Sequence, residues 1–584
     1  MAADQQTICD NLDLWTSALL TKSTAGRGSN GKLEAYGIKK LRELILELAV
    51  RGKLVPQDPK DEPASQLLEN TISEKKRLIK KEMIRETKPP AFPDEPPEHP
   101  LPKGWVWTNL YEIGEIGPRN DVDDDVEASF VPMQLISENY GVPVQHEVKG
   151  WSEIKTGFTH FKEEDVVLAK ITPCFQNGKS AVMRGLTNGF GAGTTELHVY
   201  RSINACTIPE YVLIYLKSPR FIGDGIPKMT GTAGQKRITR DYFAGNHFPL
   251  PSLAEQHRIV AKIDELMALC DQLEQQQTSS IEAHQTLVET LLGTLTNIES
   301  QQELTEAWTR IADHFDTLFT TEHSIDQLKQ TILQLAVMGR LVPQDPSDEP
   351  SSVLLTRIAK QKERMIEQGS LKRDKPLPAQ KEDEKPFELP MGWAWSRLPE
   401  IGELARGKSK HRPRNDPKLY SDGTIPMVQT GDVSRADPFN YSYTALYNEV
   451  GLSQSRLWPK GTMCITIAAN IAETGILAFD ACFPDSVVGF IPFDQDIDVK
   501  YFEYFMRTAK SHLEDFAPST AQKNINLDIL GQLLVPLPPA NELGRIVAKV
   551  NELIALCDAL KARLAAAQST QIHLADTIVE QAVA

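Results

Sequence analysis

The sequence predicts an α+β protein in which two mixed α/β globules are separated by long antiparallel coiled-coil helices and related by an internal pseudo-two-fold repeat. Three observations carry that prediction. Blocks of sequence recur in the same order at an offset of about 287 residues: LAVRGKLVPQDPKDEP (48–63) as LAVMGRLVPQDPSDEP (335–350), GWVWTNLYEIGEI (104–116) as GWAWSRLPEIGEL (392–404), GTAGQKRIT (231–239) as STAQKNIN (519–526), and RIVAKIDELMALCDQLE (258–274) as RIVAKVNELIALCDALK (545–561). In the last of these blocks the apolar positions step by four and three, the spacing of a coiled-coil seam. Between the repeated blocks lie two stretches, 104–252 and 392–539, whose edges repeat and whose interiors do not. The period is far longer than that of a solenoid repeat, so each copy is domain-sized.

The elements follow in chain order. Residues 1–103 hold a helical segment and a Pro-rich linker. The run IKKLRELILELAV (38–50) is helical, and Gly52 with Pro56 is its stop, as Gly339 with Pro343 stops IDQLKQTILQLAV (325–337). The linker KPPAFPDEPPEHPLPKG (88–104) reads as extended chain. The first globule, 104–252, shows strand-like runs EDVVLAKI, AVMRGL and TELHVYRS and a helical patch EYVLIYLKS. The region 253–391 is a central helical spacer and a second linker. Its seam is Ile259, Ile263, Leu266, Cys270 and Leu273, and the same register continues through Gln277, Ser280, His284, Leu287 and Leu291. The second globule, 392–539, contains TMCITIAA and KYFEYFMRTAK, and a last long helix occupies 540–584 with seam residues Ile546, Val550, Leu553, Cys557 and Leu560, continuing to Leu574 and Ile578. Because residues 1–103 match 300–391, the chain begins partway through a unit, and its last helix must close back onto its start.

Composition narrows the class. The seven cysteines are scattered without ligand spacing, which points away from a disulfide framework and from a zinc site. Cys270 and Cys557 sit on the seam as small hydrophobes. No secretory leader or membrane-length apolar run is present, so the expected location is cytoplasmic. The net charge of −16 argues at first against a phosphate-bearing partner. Each globule, however, carries 14 Lys and Arg against 17 Asp and Glu, so the connectors hold most of the excess. Within the globules the basic residues cluster at KMTGTAGQKRITR (228–240) and RGKSKHRPR (406–414). The first globule has the acidic GPRNDVDDDVE where the second has RGKSKHRPR.

The LAVxGKLVPQDP type of helix end, the GW-W start of each globule, the TAQKNI-like exit and the EQxRIV start of a long helix together resemble the specificity subunit of type I restriction-modification enzymes. The resemblance covers essentially the whole chain. It implies that the two globules are target recognition domains reading the halves of a split double-stranded DNA site. It also implies that the helices set the gap and dock two modification (methyltransferase) subunits, with two restriction (nuclease-translocase) subunits joining outside, in a bacterial or archaeal cytoplasm. The chain itself would be non-catalytic and hold no cofactor. S-adenosylmethionine, ATP and Mg would belong to the partner subunits, whose complex would be an N6-adenine DNA methyltransferase and ATP-dependent endonuclease. A reading from a different class is a helical scaffold whose globules bind proteins.

Candidate DNA-contacting residues divide by whether they repeat. Gln235, Lys236 and Arg237 match Gln522, Lys523 and Asn524; positions shared by both globules suit backbone positioning better than sequence reading. Arg240, Arg406, Lys408, Lys410, Arg412 and Arg414 are further phosphate candidates. Base reading belongs to the unshared interior, with Gln134, Asn139, Lys170, Asn177, Lys179, Gln429, Arg435 and Asn470 as candidates because their side chains suit base edges. Trp105, Trp107, Trp393 and Trp395 lie in the shared edge and are expected to pack. GELARGKS (402–409) fits the phosphate-loop pattern, but KHRPRNDPK follows it where a helix is required, so nucleotide binding is not expected. No [ND]PP[YF] tetrapeptide or glycine-rich cofactor loop is present.

Overall fold

The computed structural model describes residues 10–583 except 18–19, 23–32, 92–99, 233, 299, 374–375, 381–383, 412, 469–470 and 516–524. The chain divides into two compact units. The first is Met1–Glu282 with Ala566–Ala584, and the second is Ala283–Ala565. The helices used below are α1 (Tyr36–Val50), α2 (Pro209–Lys217), α3 (Leu253–Asn297), α4 (Glu322–Val337), α5 (Val499–Asp515) and α6 (Ala540–Val583). No described helix is long and apolar enough to cross a membrane.

The repeated LAVxGxLVPQDPxDEP run is a clasp. Leu44, Ile45, Leu48 and Ala49 of α1 are buried, and Gly52 follows at φ +64° with its N–H bonded to the Ala49 carbonyl. Only glycine takes that backbone without cost. It is also the only residue that fits, because a Cβ there would lie 2.4 Å from Pro102 Cγ and 2.9 Å from Trp105. Gln57 then donates to the Gly52 carbonyl (2.8 Å) and to Glu255 (3.1 Å), and Trp105 Nε1 donates to the other Glu255 oxygen at 2.9 Å. Arg258 closes on Asp61 at 2.6 Å. The second unit repeats every contact: Gly339 at φ +70° under Pro390 and Trp393, Gln344 and Trp393 on Glu542 (3.2 and 3.1 Å), and Arg545 on Asp348 at 2.6 Å. Each motif thus joins the end of a short helix, the first Trp of a globule and the first turn of the long helix that leaves it.

The interiors also repeat, in topology. In the first unit Val106–Thr108 pairs antiparallel with Phe248–Leu250, so the globule is tied where it begins and ends. One sheet has the order Gly114–Ile116, Leu197–Ser202, Val166–Ala169, Ser180–Val182, and a second has Glu147–Gly150, Glu127–Val131, Phe190–Gly193, Thr159–Lys162. The second unit has the same tie, Ala394–Arg397 with Leu534–Leu537, and the same first sheet, Gly402–Arg406, Val487–Pro492, Met463–Thr466, Thr474–Leu477, extended by Phe439–Asn440. Its second sheet is reduced to Ile425–Met427 with Ala445–Tyr447 and single bridges at Cys482 and Trp458. The helices α2 and α5 are equivalent: Tyr211 donates to the Pro249 carbonyl at 2.8 Å and Tyr501 to the Pro536 carbonyl at 2.6 Å. Trp105 and Trp393 are buried, as their place in the shared edge suggests.

The closure of the chain's end onto its start is present inside the first unit. Tyr36 donates to Asp576 at 2.7 Å and Lys40 pairs with it at 3.2 Å, while Arg42 reaches Asp271 and Glu274 on α3 at 2.6 and 2.7 Å. The second unit shows the counterparts. His323 meets Glu289 at 3.5 Å, Asp326 meets Lys561 at 2.9 Å, and Lys329 meets Asp558. There α4 runs antiparallel to α6. It runs parallel to the end of α3, since His323 meets Glu289 and Arg340, just past α4, donates to the Thr296 carbonyl at 3.0 Å. Within this unit α3 and α6 therefore point in opposite directions.

The seam holds in its first half and departs from the heptad in its second. Ile259, Ile263 and Cys270 are buried, as are Ile546, Val550 and Cys557, with Leu266, Leu273, Leu553 and Leu560 packed partly against the same cores. Leu287 and Leu574, expected on the seam, are about half exposed, and Val288, Leu292, Ala575 and Val579 are buried in their place. The stripe has drifted by one residue over eight turns in both copies. An uncoiled α-helix at 3.6 residues per turn does this, drifting about 20° per heptad. Gln277 is buried at the middle of α3, its amide donating to the carbonyls of Thr16 and Ser17.

The clasp predicts an asymmetric glycine response. Gly339→Ala should lower the stability of the second unit by about 2 kcal/mol or more, combining the positive φ with the overlap on Trp393. Gly461→Ala, at φ +87° but facing open space, should cost only about 1 kcal/mol. Thermal unfolding of the two variants checks this, and equal shifts would show that the close approach is not the constraint.

Candidate nucleic-acid interface

In the first globule several connections meet at one end of the four-stranded sheet. Leu197 lies opposite Ala169, so 194–196 emerges beside the 170–179 connection. Residues 229–232 and 234–239 dock on the same connection. Thr172 N–H donates to the Lys236 carbonyl at 2.9 Å, Ile238 N–H to the Lys170 carbonyl at 2.8 Å, and Arg237 N–H to the Thr230 carbonyl at 2.8 Å. Lys170, Gln235, Lys236 and Arg237, far apart in sequence, are thereby brought together. Gln235 and Lys236 are exposed and Lys170 is half-buried. Arg237 is held by Glu196 through contacts of 2.8 and 2.9 Å, and that guanidinium keeps the Glu196 carboxyl below its ordinary range. Lys179 closes the 170–179 turn, its N–H on the Cys174 carbonyl at 3.0 Å. Asn177, half-buried, lies in the same turn.

The 132–146 connection carries Gln134 and Asn139, both exposed, and touches this end of the sheet where Ser180 N–H meets the Ser137 carbonyl. Arg240 is placed differently: it donates to the Lys88 carbonyl (3.2 Å) and Thr87 Oγ1 (3.1 Å) and so pins the linker. The acidic stretch is folded back on its globule, with Asn120 on the Phe161 carbonyl at 2.8 Å and Asp124 on Lys155 at 2.8 Å.

In the second globule the basic run leaves the sheet at the equivalent end. Arg406 ends its strand, Gly407 N–H bonds the Val487 carbonyl, and Ile467 N–H bonds the Ser486 carbonyl, so the starts of the connections after Arg406 and Thr466 lie beside 484–487. Gln454 Oε1 accepts from the N–H groups of Lys410 (2.6 Å) and His411 (3.0 Å), shaping the run into a turn. Arg406, Lys408, Lys410 and Arg414 are exposed, with Arg414 on Asp485 at 2.6 Å. Gln429 is exposed at the start of Thr430–Ser434, and Arg435 just past its end pairs with the buried Asp432. Arg412, Asn470, Gln522, Lys523 and Asn524 lie outside the described residues.

The phosphate-loop pattern is excluded geometrically. Gly402–Arg406 is a strand, a Cβ on Gly407 would sit 2.3 Å from the Phe483 carbonyl oxygen, Ser409 is buried, and the next helical element among the described residues is the three-residue turn Pro417–Leu419. Among the described residues no group of three His, Cys, Asp or Glu is placed to hold a metal ion.

Sequence reasoning missed the groups behind these surfaces. Lys217 is buried at the end of α2, where its ammonium donates to the carbonyls of Ser137 (3.2 Å), Glu138 (2.9 Å) and Gly178 (2.9 Å). Burial, and then the charge of Lys179, push it down to about 7 against the pull of Glu138. A lysine closing an apolar helix was the available signal, but nothing in the sequence gives its acceptors.

Comparison with known proteins places this arrangement. The family described as Type I restriction modification DNA specificity domain matches residues 102–283 and again 390–567. The chain is 44% identical over 591 residues to the type I restriction enzyme EcoAI specificity subunit of Escherichia coli, covering 99% of both chains. It is 44% identical over 600 residues to the EcoEI specificity subunit of the same organism, covering all of both. A solved structure from work on complex assembly and conformational transition of the type I R-M system shares the fold at 18% identity and a TM-score of 0.50, covering 83% of this chain and 99% of that one.

Proposed function

The chain belongs to the family of type I restriction enzyme specificity subunits, and from that premise we propose that each globule reads one half of a bipartite double-stranded DNA site. The observation that carries this reading is the repeated sheet order on a repeated clasp, with unlike connections at the equivalent sheet ends: acidic Asp121–Asp125 in one copy, basic Arg406–Arg414 in the other. One scaffold holding two different surfaces suits an asymmetric target. In this reading Lys170, Lys179, Gln429 and Arg435 contact base edges, while Gln235, Lys236, Arg237, Arg406, Lys408 and Lys410 contact phosphates. Two modification subunits dock on the helices, and two restriction subunits join them. Methyl transfer, ATP use and DNA cleavage reside in those partners, together with S-adenosylmethionine, ATP and Mg.

Coexpression with the modification subunit, followed by mapping of methylated adenines in the host genome, tests the reading. One split, asymmetric sequence is expected, and the purified chain alone should transfer no methyl group. Methylation by the chain alone, or a continuous target, would overturn it.

Two variants test the parts. Lys236→Ala in the assembled methyltransferase should weaken binding equally on all DNA sequences and lower the slope of log K against log salt by about 1. A globule that binds protein in place of DNA leaves that slope unmoved. Four residues inserted after Ser280 lengthen α3 by about 6 Å and turn it by about 40°. One base pair advances the duplex by about 3.4 Å and turns it by roughly 34°. Methylome sequencing should therefore find the half-sites unchanged and the spacer longer by about one or two base pairs. An unchanged spacer at full activity would remove the helices as the ruler.

A further inference from the structure

We propose that one cation at the same place on the core helix of each globule, Lys217 on α2 and Arg507 on α5, fixes base discrimination in its own half-site by locking together the two connections that carry the diverged residues. The inference rests on the reading of one half-site per globule and adds the residues that hold each reading surface in shape. They are positioning residues, since each acts through the connections it holds.

The equivalence is fixed by contacts. Tyr211 and Tyr501 make the same bond to the proline carbonyl at the globule's exit, and counting six residues on along each helix reaches Lys217 and Arg507. In the first globule the three donors of the ammonium go to Ser137 and Glu138 on the 132–146 connection and to Gly178 on the 170–179 connection. None of the three acceptors belongs to a strand, and none is a carboxylate. An ammonium buried on carbonyls alone is an expensive way to fill a core position, so its effect is concentrated on the loops it gathers.

In the second globule the chemistry changes and the junction stays. Arg507 donates at 3.2 Å to Asp437, on the connection between Ile425–Met427 and Phe439–Asn440, and pairs with Glu503 on its own helix. Glu503 is buried and accepts from Thr474 Oγ1 at 3.1 Å, at the start of the strand equivalent to Ser180–Val182. Lys510, one turn further, ties Glu473 at 2.6 Å. Two unlike sets of side chains thus hold the same pair of connections to the same helix. The first pair carries Gln134, Asn139, Asn177 and Lys179. The second carries Gln429 and Arg435 and runs up to Thr474.

Lys217→Met keeps most of the length of the side chain and removes its donors. In the complex with modification subunits it should reduce discrimination against single-base changes in the first half-site by about tenfold or more, the scale of one lost base contact. The second half-site and the spacer should stay as selective as before. Asp437→Ala, which removes the acceptor at a side chain about three-quarters exposed and so of little consequence for folding, should relax the second half-site alone. Both are read by methylation of substrate libraries randomised in each half-site. Loss of total activity with discrimination intact in both halves, or equal relaxation of both halves by either variant, overturns the proposal. Should the first variant not fold, the second decides. A wild-type complex that selects no bipartite site would sink the underlying reading of function, whereas a bipartite wild type with two unaltered variants would sink the tether alone.

Discussion

The carboxylates of Glu255 and Glu542 are where the architecture is decided. Each accepts an indole N–H from the first tryptophan of its globule and an amide from the glutamine that follows a helix-ending glycine. Burial pushes both carboxyls above their ordinary range, and the hydrogen bonds oppose that shift. Hydrogen bonds to a charged group contribute about 1.5–3 kcal/mol each, and losing one partner leaves the others buried and unmet. The Arg258 and Arg545 ion pairs beside them hold Asp61 and Asp348 below the ordinary carboxylate range. That contribution is complete above the unfolded carboxyl value near 3.9 and fades as pH falls through the lower folded value. In each unit the end of the short helix, the first tryptophan of the globule and the first turn of the long helix meet at this carboxylate.

Much of this was legible because the chain states it twice. The glycine, the tryptophan and the long-helix start recur as sequence, and each recurrence is a contact in the clasp. The interior was less legible, since Leu197–Ser202 and Val487–Pro492 share a sheet position without sharing residues. Strand pairing asks only for apolar alternation and a fitting length, so topology outlasts sequence there. The seam was legible where α3 and α6 leave the clasp and misleading beyond Gln277. A heptad register propagated from one end assumes supercoiling, and these helices keep closer to 3.6 residues per turn.

The candidate surface divides the same way. Lys170 and Lys236 could each be named from residue type, but their meeting depends on two backbone bonds between connections about 66 positions apart. The acceptors of Lys217 were invisible for a related reason: they are carbonyls, which every residue has. Side-chain chemistry can be read from a sequence, whereas a tether built on backbone oxygens appears only when the chain is folded.

The bond from Tyr36 to Asp576 has a consequence for chain order. Helix α1 rests on the last turns of α6 as α4 rests on the last turns of α3, so the first unit closes through space where the second continues through the covalent link after Asn297. The protein is in this sense a circular permutant of itself. Exchanging the covalent and noncovalent closures would keep the same helix-on-helix contacts within each unit. For a flexible link the entropy of closing a loop grows only as the logarithm of its length. The choice of which closure is covalent therefore changes the chain entropy only slightly, and each unit is held by the same helix-on-helix contacts whichever link the chain supplies.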